Sequence, residues 1–273
     1  MRLLVSLLLG LLFSTSVADE DEVRIRFAAM GDVPYRSEER IKLATDLLKL
    51  PADTAFVVHV GDIKPGTPFC GEGEYSSIAQ ILKGSPVPVF VLPGDNEWND
   101  CGRPQRAWGF WMKHLHGFER QWPRFQNVVR QSEQPANFTF VRDGVLFLGL
   151  HIVGGRVHDA AEWTARHHQN LTWLQQHLLS PQDSSAVRAA VIFGHSQPSE
   201  ATAQFFRSFS DVAKMFDRPV LYLHGDGHRW VKNRPFKAKN LLRVQVDLGG
   251  KAPPVIVSVK RDVNDPFDFD RRS

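Results

Sequence analysis

The sequence predicts an α/β domain with a parallel core of strands, on three observations. Ala55–Val60 and Val87–Leu92 are short, continuous apolar runs, the pattern of strands covered on both faces. Stretches with helical periodicity separate them from each other and from an earlier strand, Val23–Met30. All three runs end at glycine followed by aspartate: Gly31-Asp32, Gly61-Asp62 and Gly94-Asp95.

In chain order, Val23–Met30 alternates and then turns apolar, as a strand entering a core does. Ser37 is placed to cap a helix whose first turn holds Glu38 and Glu39, with Ile41, Leu43, Ala44, Leu47 and Leu48 on its apolar side. Pro51 closes it, and the strand 55–60 follows. Glu74–Lys83 reads as a helix with Gly84 behind it, and 87–92 is the third strand. This β-α-β-α-β order implies right-handed crossovers. Arg106–Phe118 is an aromatic-rich helix. Asn137–Val141 and Val145–Leu150 flank Arg142-Asp143-Gly144 as a hairpin. Glu162–Leu179 is a long helix, 186–193 a strand, Ala201–Phe216 a helix and Val220–Leu223 a strand. Leu242–Val246 and Val255–Val259 read as late antiparallel strands.

The 273 residues are 42% hydrophobic and 23% charged, a globular balance that can bury a large core. The formal net charge is only +3, and no block of Lys and Arg is interleaved with aromatics, which argues against nucleic acid as a stable partner. Arg2, the apolar stretch Leu3–Phe13 and the small residues Ser16-Val17-Ala18 read as a signal peptide over 1–18, too short in its apolar part to span a membrane. Residues 19–273 are then a single secreted or periplasmic domain. The even cysteine count, Cys70 and Cys101, suits that compartment. So do two glycosylation sequons, at Asn137 and Asn170.

Further strand ends repeat the acidic or imidazole pattern. Gly194-His195 follows 186–193, and "LYLHGDGHRW" brings His224, Asp226 and His228. In open α/β sheets, loops at the carboxyl ends of strands converge on the ligand site. One glycine-aspartate is an ordinary turn or cap. Five such ends together suit hard or borderline metal ions, because several carboxylates in one place repel one another until a cation joins them. Glycine before each lets the backbone turn sharply.

The ordered set Gly31-Asp32, Gly61-Asp62, Gly94-Asp95-Asn96-Glu97, Gly194-His195 and Gly225-Asp226-Gly227-His228 resembles the calcineurin-like metallophosphoesterase superfamily, over Ala28 to about Trp230. The resemblance implies a four-layer α/β/β/α sandwich of two mixed sheets. It also implies a secreted hydrolase of phosphate esters, using a hydroxide activated by one or two divalent or trivalent ions (Mn, Fe, Zn, Mg or Ca). Three positions depart from the family pattern. Pro34 stands where a histidine ligand is expected, Asp95 and Asn96 where asparagine and an acid histidine are expected, and Asp226 where a histidine is expected. Carried over by position, Asp32, Asp62 and His228 hold one ion, Asp62 bridges, and Asp95, His195 and Asp226 complete the other. The loss at Pro34 leaves a mononuclear site open.

Asn96 cannot donate a catalytic proton, although its amide can bind a phosphate oxygen. His151, after the run 145–150, and His224, before the last motif, are the replacement acids to consider. Good leaving groups would need none. Lys64 and Arg229 are candidate phosphate contacts, Trp98 and Trp230 candidate pocket walls, and Arg156 and His158 candidate substrate contacts. Cys70 and Cys101 lie a few residues past Asp62 and Asp95, so a disulfide is expected if those loops meet. The contrasting reading is a binding or scaffold protein whose catalytic apparatus has decayed, motivated by Pro34 and Asn96. Against it, the substitutions at positions 95 and 226 are still metal ligands.

Overall fold

A computed structural model describes residues 22–123, 125, 127–180 and 187–272. The expected signal peptide lies outside them. Twelve strands form two mixed sheets. Strand β1 (Val23–Met30) runs parallel to β2 (Val57–His59), which is parallel to β3 (Val89–Val91). On its other side β1 pairs antiparallel with β11 (Val255–Lys260), and β11 with β12 (Phe267–Asp270). The seven-stranded sheet has the order β4 (Val129–Arg130), β5 (Phe138–Arg142), β6 (Val145–Gly149), β7 (Ala189–Phe193), β8 (Val220–His224), β10 (Leu241–Gln245), β9 (Val231–Asn233).

Of the two late strands expected to be antiparallel, β11 is so, while β10 is antiparallel to β9 on one side and parallel to β8 on the other. The chain leaves β8, passes to the edge as β9, and folds back to fill the position beside β8. Apolar alternation records burial, not direction, so the residues 241–245 alone do not distinguish the two.

The two sheets face each other across a core that is unusually rich in phenylalanine. Phe27, Phe56, Phe90, Phe138, Phe140, Phe147 and Phe193 are all buried there. Phe27 stacks on Phe56 at 5.2 Å and meets Phe147 and Phe193 edge-on. Such ring pairs add directional attraction to a large apolar burial. Helices α1 (Ser37–Leu48), α2 (Glu72–Lys83) and α3 (Pro104–His114) cover the outer face of the five-stranded sheet through Leu43, Leu47, Ile78, Leu82 and Trp111. Helices α4 (Ala160–Leu178) and α5 (Ala203–Phe216) cover the other sheet through Trp173, Leu174, Phe205, Phe209 and Phe216. The expected α/β/β/α sandwich is therefore present.

Local details differ modestly. Ser37 is the first helical residue of α1, not its cap, and its hydroxyl bonds Glu38. Helix α4 does carry a side-chain cap: Asp159 Oδ1 accepts from the Ala161 and Glu162 amides. The fold places β1, β2, β3, β7 and β8 so that the ends carrying the acidic and imidazole residues meet at one rim.

A candidate metal centre at the strand ends

Strands β1 and β2 deliver Asp32 and Asp62, β3 delivers Asp95, β7 delivers His195, and β8 delivers Asp226. Asp32, Asp62 and His195 bring ligand atoms within 4.8 Å of one another, as do Asp95, His195 and Asp226. His195 thus joins the two groups. Its Nε2 lies 3.3 Å from Asp62 Oδ1 and 3.0 Å from Asp95 Oδ1. His228 lies beside Asp32, with Nε2 to Oδ1 at 3.3 Å, and is half exposed.

The backbone here is constrained in a way the sequence does not announce. Asp32, Asp62, Asp226 and His228 all have positive φ, between 57° and 72°. Non-glycine residues seldom adopt this left-handed conformation, and it concentrates at functional sites. Gly61, with a φ of 105°, makes the kind of turn expected, and other glycines before the acids also give room. A Cβ at Gly94 would fall 2.2 Å from Asp62 Oδ1, and one at Gly225 would fall 2.5 Å from Asp32 Oδ2. At Gly94 and Gly225, glycine lets another strand end's carboxylate sit against the backbone.

The side chains are held from behind. Asp62 Oδ1 accepts the Asn96 amide N–H at 3.1 Å, and Asp32 accepts the Asp226 N–H at 3.1 Å. Glu97, buried, accepts the N–H groups of both Asp62 and Gly94 and so ties the ends of β2 and β3. Tyr35 contributes a phenol at the centre: its O–H donates to Asp62 Oδ2 at 2.8 Å, and lies 3.3 Å from Asp32 Oδ1 and 3.2 Å from His228 Nε2. Sequence reasoning missed Tyr35 and left Glu97 without a role. The hint for Tyr35 was its position just after Pro34, where a ligand was expected.

The donor set fits a cation. His195 Nδ1 bonds the Val60 carbonyl at 2.9 Å, so it carries the hydrogen and leaves Nε2 as a lone pair aimed at two carboxylates. Among the described residues, His195 Nε2, Asp95 Oδ1 and Glu97 Oε2 are buried with no hydrogen-bond partner. Two facing acceptors without a hydrogen, His195 Nε2 and Asp95 Oδ1, are unfavourable unless a cation lies between them. Without metal a proton takes that place: burial opposes it, but Asp62 and Asp95 hold the imidazole well above the usual histidine range. Burial pushes the carboxyls of Asp62 and Asp226 up.

Several expected roles are corrected. His224 is buried with both ring nitrogens occupied, Nδ1 by the Gly225 carbonyl and Nε2 by the Arg243 guanidinium. Burial and Arg243 lower its pKa to about 3, so it has no proton to give. His151 stacks on Trp108, lies tilted against Trp98, and turns its Nδ1 to Gln134. Lys64 is 2% exposed, and its three ammonium hydrogens face the carbonyls of Pro65, Thr67 and Asn96. It braces a loop and is not free for phosphate. Arg156 likewise bonds the carbonyls of Asn99 and Cys101. Trp230 packs on Phe269, away from the centre. The sequon asparagines are not presented at the surface: Asn137 and Asn170 are buried, and the Asn137 amide donates to Gln131 and Asn170 while that of Asn170 donates to the His151 carbonyl.

The remaining candidate residues are placed as follows. Asn96 lies at the centre, its amide donating to Asp62 Oδ2 and to the Lys64 carbonyl. Arg229 is exposed beside His228. Cys70 and Cys101 form a disulfide, joining the loops that follow Asp62 and Asp95.

No protein-family model matches the sequence, and no curated protein matches it. Solved structures do match the fold. A purple acid phosphatase from yellow lupin superposes with a TM-score of 0.53 at 11% identity, over 87% of this chain and 50% of its own. The 5'-nucleotidase of Candida albicans gives 0.52 at 14%, over 90% and 51%. TT1561 of Thermus thermophilus gives 0.51 at 13%, over 92% and 100%. The chain therefore spans about half the length of the phosphatase and the nucleotidase, and the whole of TT1561.

Proposed function

We propose that this chain, whose fold is that of the calcineurin-like metallophosphoesterases, is a metal-dependent hydrolase of phosphate esters. One observation carries the reading: the buried, unpartnered Nε2 of His195, aimed at Asp62 and Asp95. A decayed scaffold has no reason to keep three carboxylate-bearing strand ends against an open imidazole nitrogen. Asp32, Asp62 and His195 would hold one ion, with His228 at its edge, and Asp95, His195 and Asp226 a second. A cation there supplies Lewis acidity toward a phosphoryl oxygen and acidifies bound water.

The chain's own residues contribute positioning. Asn96 and Tyr35 orient Asp62, and Glu97 fixes the ends of β2 and β3. Arg229, exposed next to His228, provides positive charge for the anionic ester. Neither His151 nor His224 serves as the acid, so esters with good leaving groups are the favoured substrates. A secreted location is proposed on the leader-like start and the disulfide, a bond that persists in oxidising compartments.

The test is hydrolysis of an aryl phosphate monoester and the matching diester, before and after chelation and with Mn, Fe, Zn, Mg or Ca added back. Turnover removed by chelation and restored by one metal is expected. A folded protein inert with every metal would sink the enzyme reading and favour the scaffold.

A further inference from the structure

The two triads of the metal centre share one side chain. Asp32, Asp62 and His195 form one, and Asp95, His195 and Asp226 the other. His195 Nδ1 is committed to the Val60 carbonyl at 2.9 Å, so only Nε2 faces the carboxylates. A neutral imidazole nitrogen has one lone pair, and one lone pair ligates one ion. The triads therefore compete for His195 and are not equivalent.

Their hydrogen bonds distinguish them. In the first triad the carboxylates already receive donors from the chain. Asp62 Oδ2 accepts the Tyr35 O–H at 2.8 Å and the Asn96 side-chain amide, and Asp62 Oδ1 accepts the Asn96 backbone N–H. Both oxygens of Asp32 face the Asp226 N–H, at 3.1 and 3.2 Å. The Tyr35 oxygen lies 2.8 Å from Asp62, 3.3 Å from Asp32 and 3.2 Å from His228. It brings a hydrogen to a point within reach of both carboxylates. In the second triad, Asp95 Oδ1 and His195 Nε2 face each other at 3.0 Å, both buried and both without a hydrogen-bond partner among the described residues. Asp226 accepts one backbone N–H, from Gln197, at 3.3 Å. A cation gains most where buried acceptors are unmatched and least where the chain's own donors already match them.

We propose, on the metal-dependent reading of this site, that the centre holds a single tightly bound ion at Asp95, His195 and Asp226, and that the Tyr35 hydroxyl stands in for a second at Asp32 and Asp62. The place opened by Pro34, where a ligand is expected, is thus closed by the next residue along the chain. Such a centre has one Lewis acid and not a clamp on both the attacking and the leaving oxygen.

Calorimetric titration of the chelator-stripped protein with Mn, and electron paramagnetic resonance of the loaded protein, test this. One Mn per chain is expected, bound at least about a hundredfold tighter than any second, with the hyperfine spectrum of a lone ion. Asp95→Ala should weaken it at least about tenfold, whereas His228→Ala, half exposed beside Asp32, should change it by less than about threefold. Tyr35→Phe keeps the ring against His228 and removes the hydrogen. A second Mn should then bind at least about tenfold tighter than in the parent, and the spectrum should take on the exchange coupling of a pair. Loss of the first ion in Tyr35→Phe would make the phenol a ligand and overturn the proposal. So would two ions of equal affinity in the parent, or a His228→Ala loss as large as that of Asp95→Ala. The parent's stoichiometry and spectrum keep the single ion testable if a variant fails to fold. Two equal ions with metal-dependent turnover would leave the phosphoesterase reading intact, whereas a folded parent that binds no ion would overturn both.

Discussion

The carboxylate–imidazole group at the ends of β1, β2, β3, β7 and β8 and the amide group at the ends of β5 and β6 are both buried, yet their polar atoms are satisfied differently. In the amide group, Asn137 bonds Gln131 and Asn170, its Oδ1 accepts the His151 N–H, and Asn170 and Arg166 both donate to the His151 carbonyl. These amides are neutral and matched. At the metal centre His195 Nε2, Asp95 Oδ1 and Glu97 Oε2 are unmatched, and the carboxylates crowd one another. Burial with matched hydrogen bonds is the signature of structure. Burial with converging acceptors left open is the signature of something still to be bound. His224 and His195, at the ends of adjacent strands, repeat the contrast in single residues: one has both nitrogens occupied, the other keeps one open.

The contrast is broken most severely by Asp62→Asn. Turnover should fall by at least about 10²–10³-fold, the scale of losing a group that stabilises transition-state charge. The metal-free variant should melt within about 5 °C of the parent, because the change relieves carboxylate repulsion. A large loss of melting temperature would mean that Asp62 belongs with the structural group after all. The Cys70–Cys101 bond belongs to both descriptions, since it clasps the two metal loops. Replacing both cysteines by serine should lower unfolding free energy by roughly 3–4 kcal/mol, read from denaturant titration.

On the amide side, Asn170→Ala removes one bond to Asn137 and one to the His151 carbonyl. It should cost roughly 1–3 kcal/mol of stability while the folded fraction keeps its turnover within a few-fold. If activity collapses with stability unchanged, the two groups are not separable in the way described. A further effect concerns pH. His167 on α4 is pushed down to about 4 by burial and by Arg166. Its unfolded pKa is near 6.5, so between these values the unfolded chain binds the extra proton. Stability is therefore intact above about pH 6.5 and declines as pH falls toward 4, by roughly 2–3 kcal/mol from this group. His167→Phe should flatten that limb of the acid denaturation curve; an unchanged limb would assign the loss to other groups.

What the chain determined by itself was the part carried by local pattern. Continuous apolar runs marked β2 and β3 as covered strands, and alternation turning apolar marked β1, because period and burial are written in consecutive residues. The recurrence of glycine-acid after strands marked Asp32, Asp62 and Asp95, because strand ends are where backbone leaves the sheet and ligands gather. The cysteines could be paired because each followed such an end closely. What only tertiary structure decided was everything that depends on the partner of a polar atom. Lys64 became a loop brace, His224 a saturated core residue, and the sequon asparagines an internal network, since hydrogen bonds across 19 to 135 residues leave no local trace. Tyr35 entered the centre for the same reason: its hydroxyl meets Asp62 and His228 only after the ends of β1 and β2 in one sheet and β8 in the other have been brought together. The direction of β10 followed too, because pairing sense is a property of two strands and cannot be stored in one.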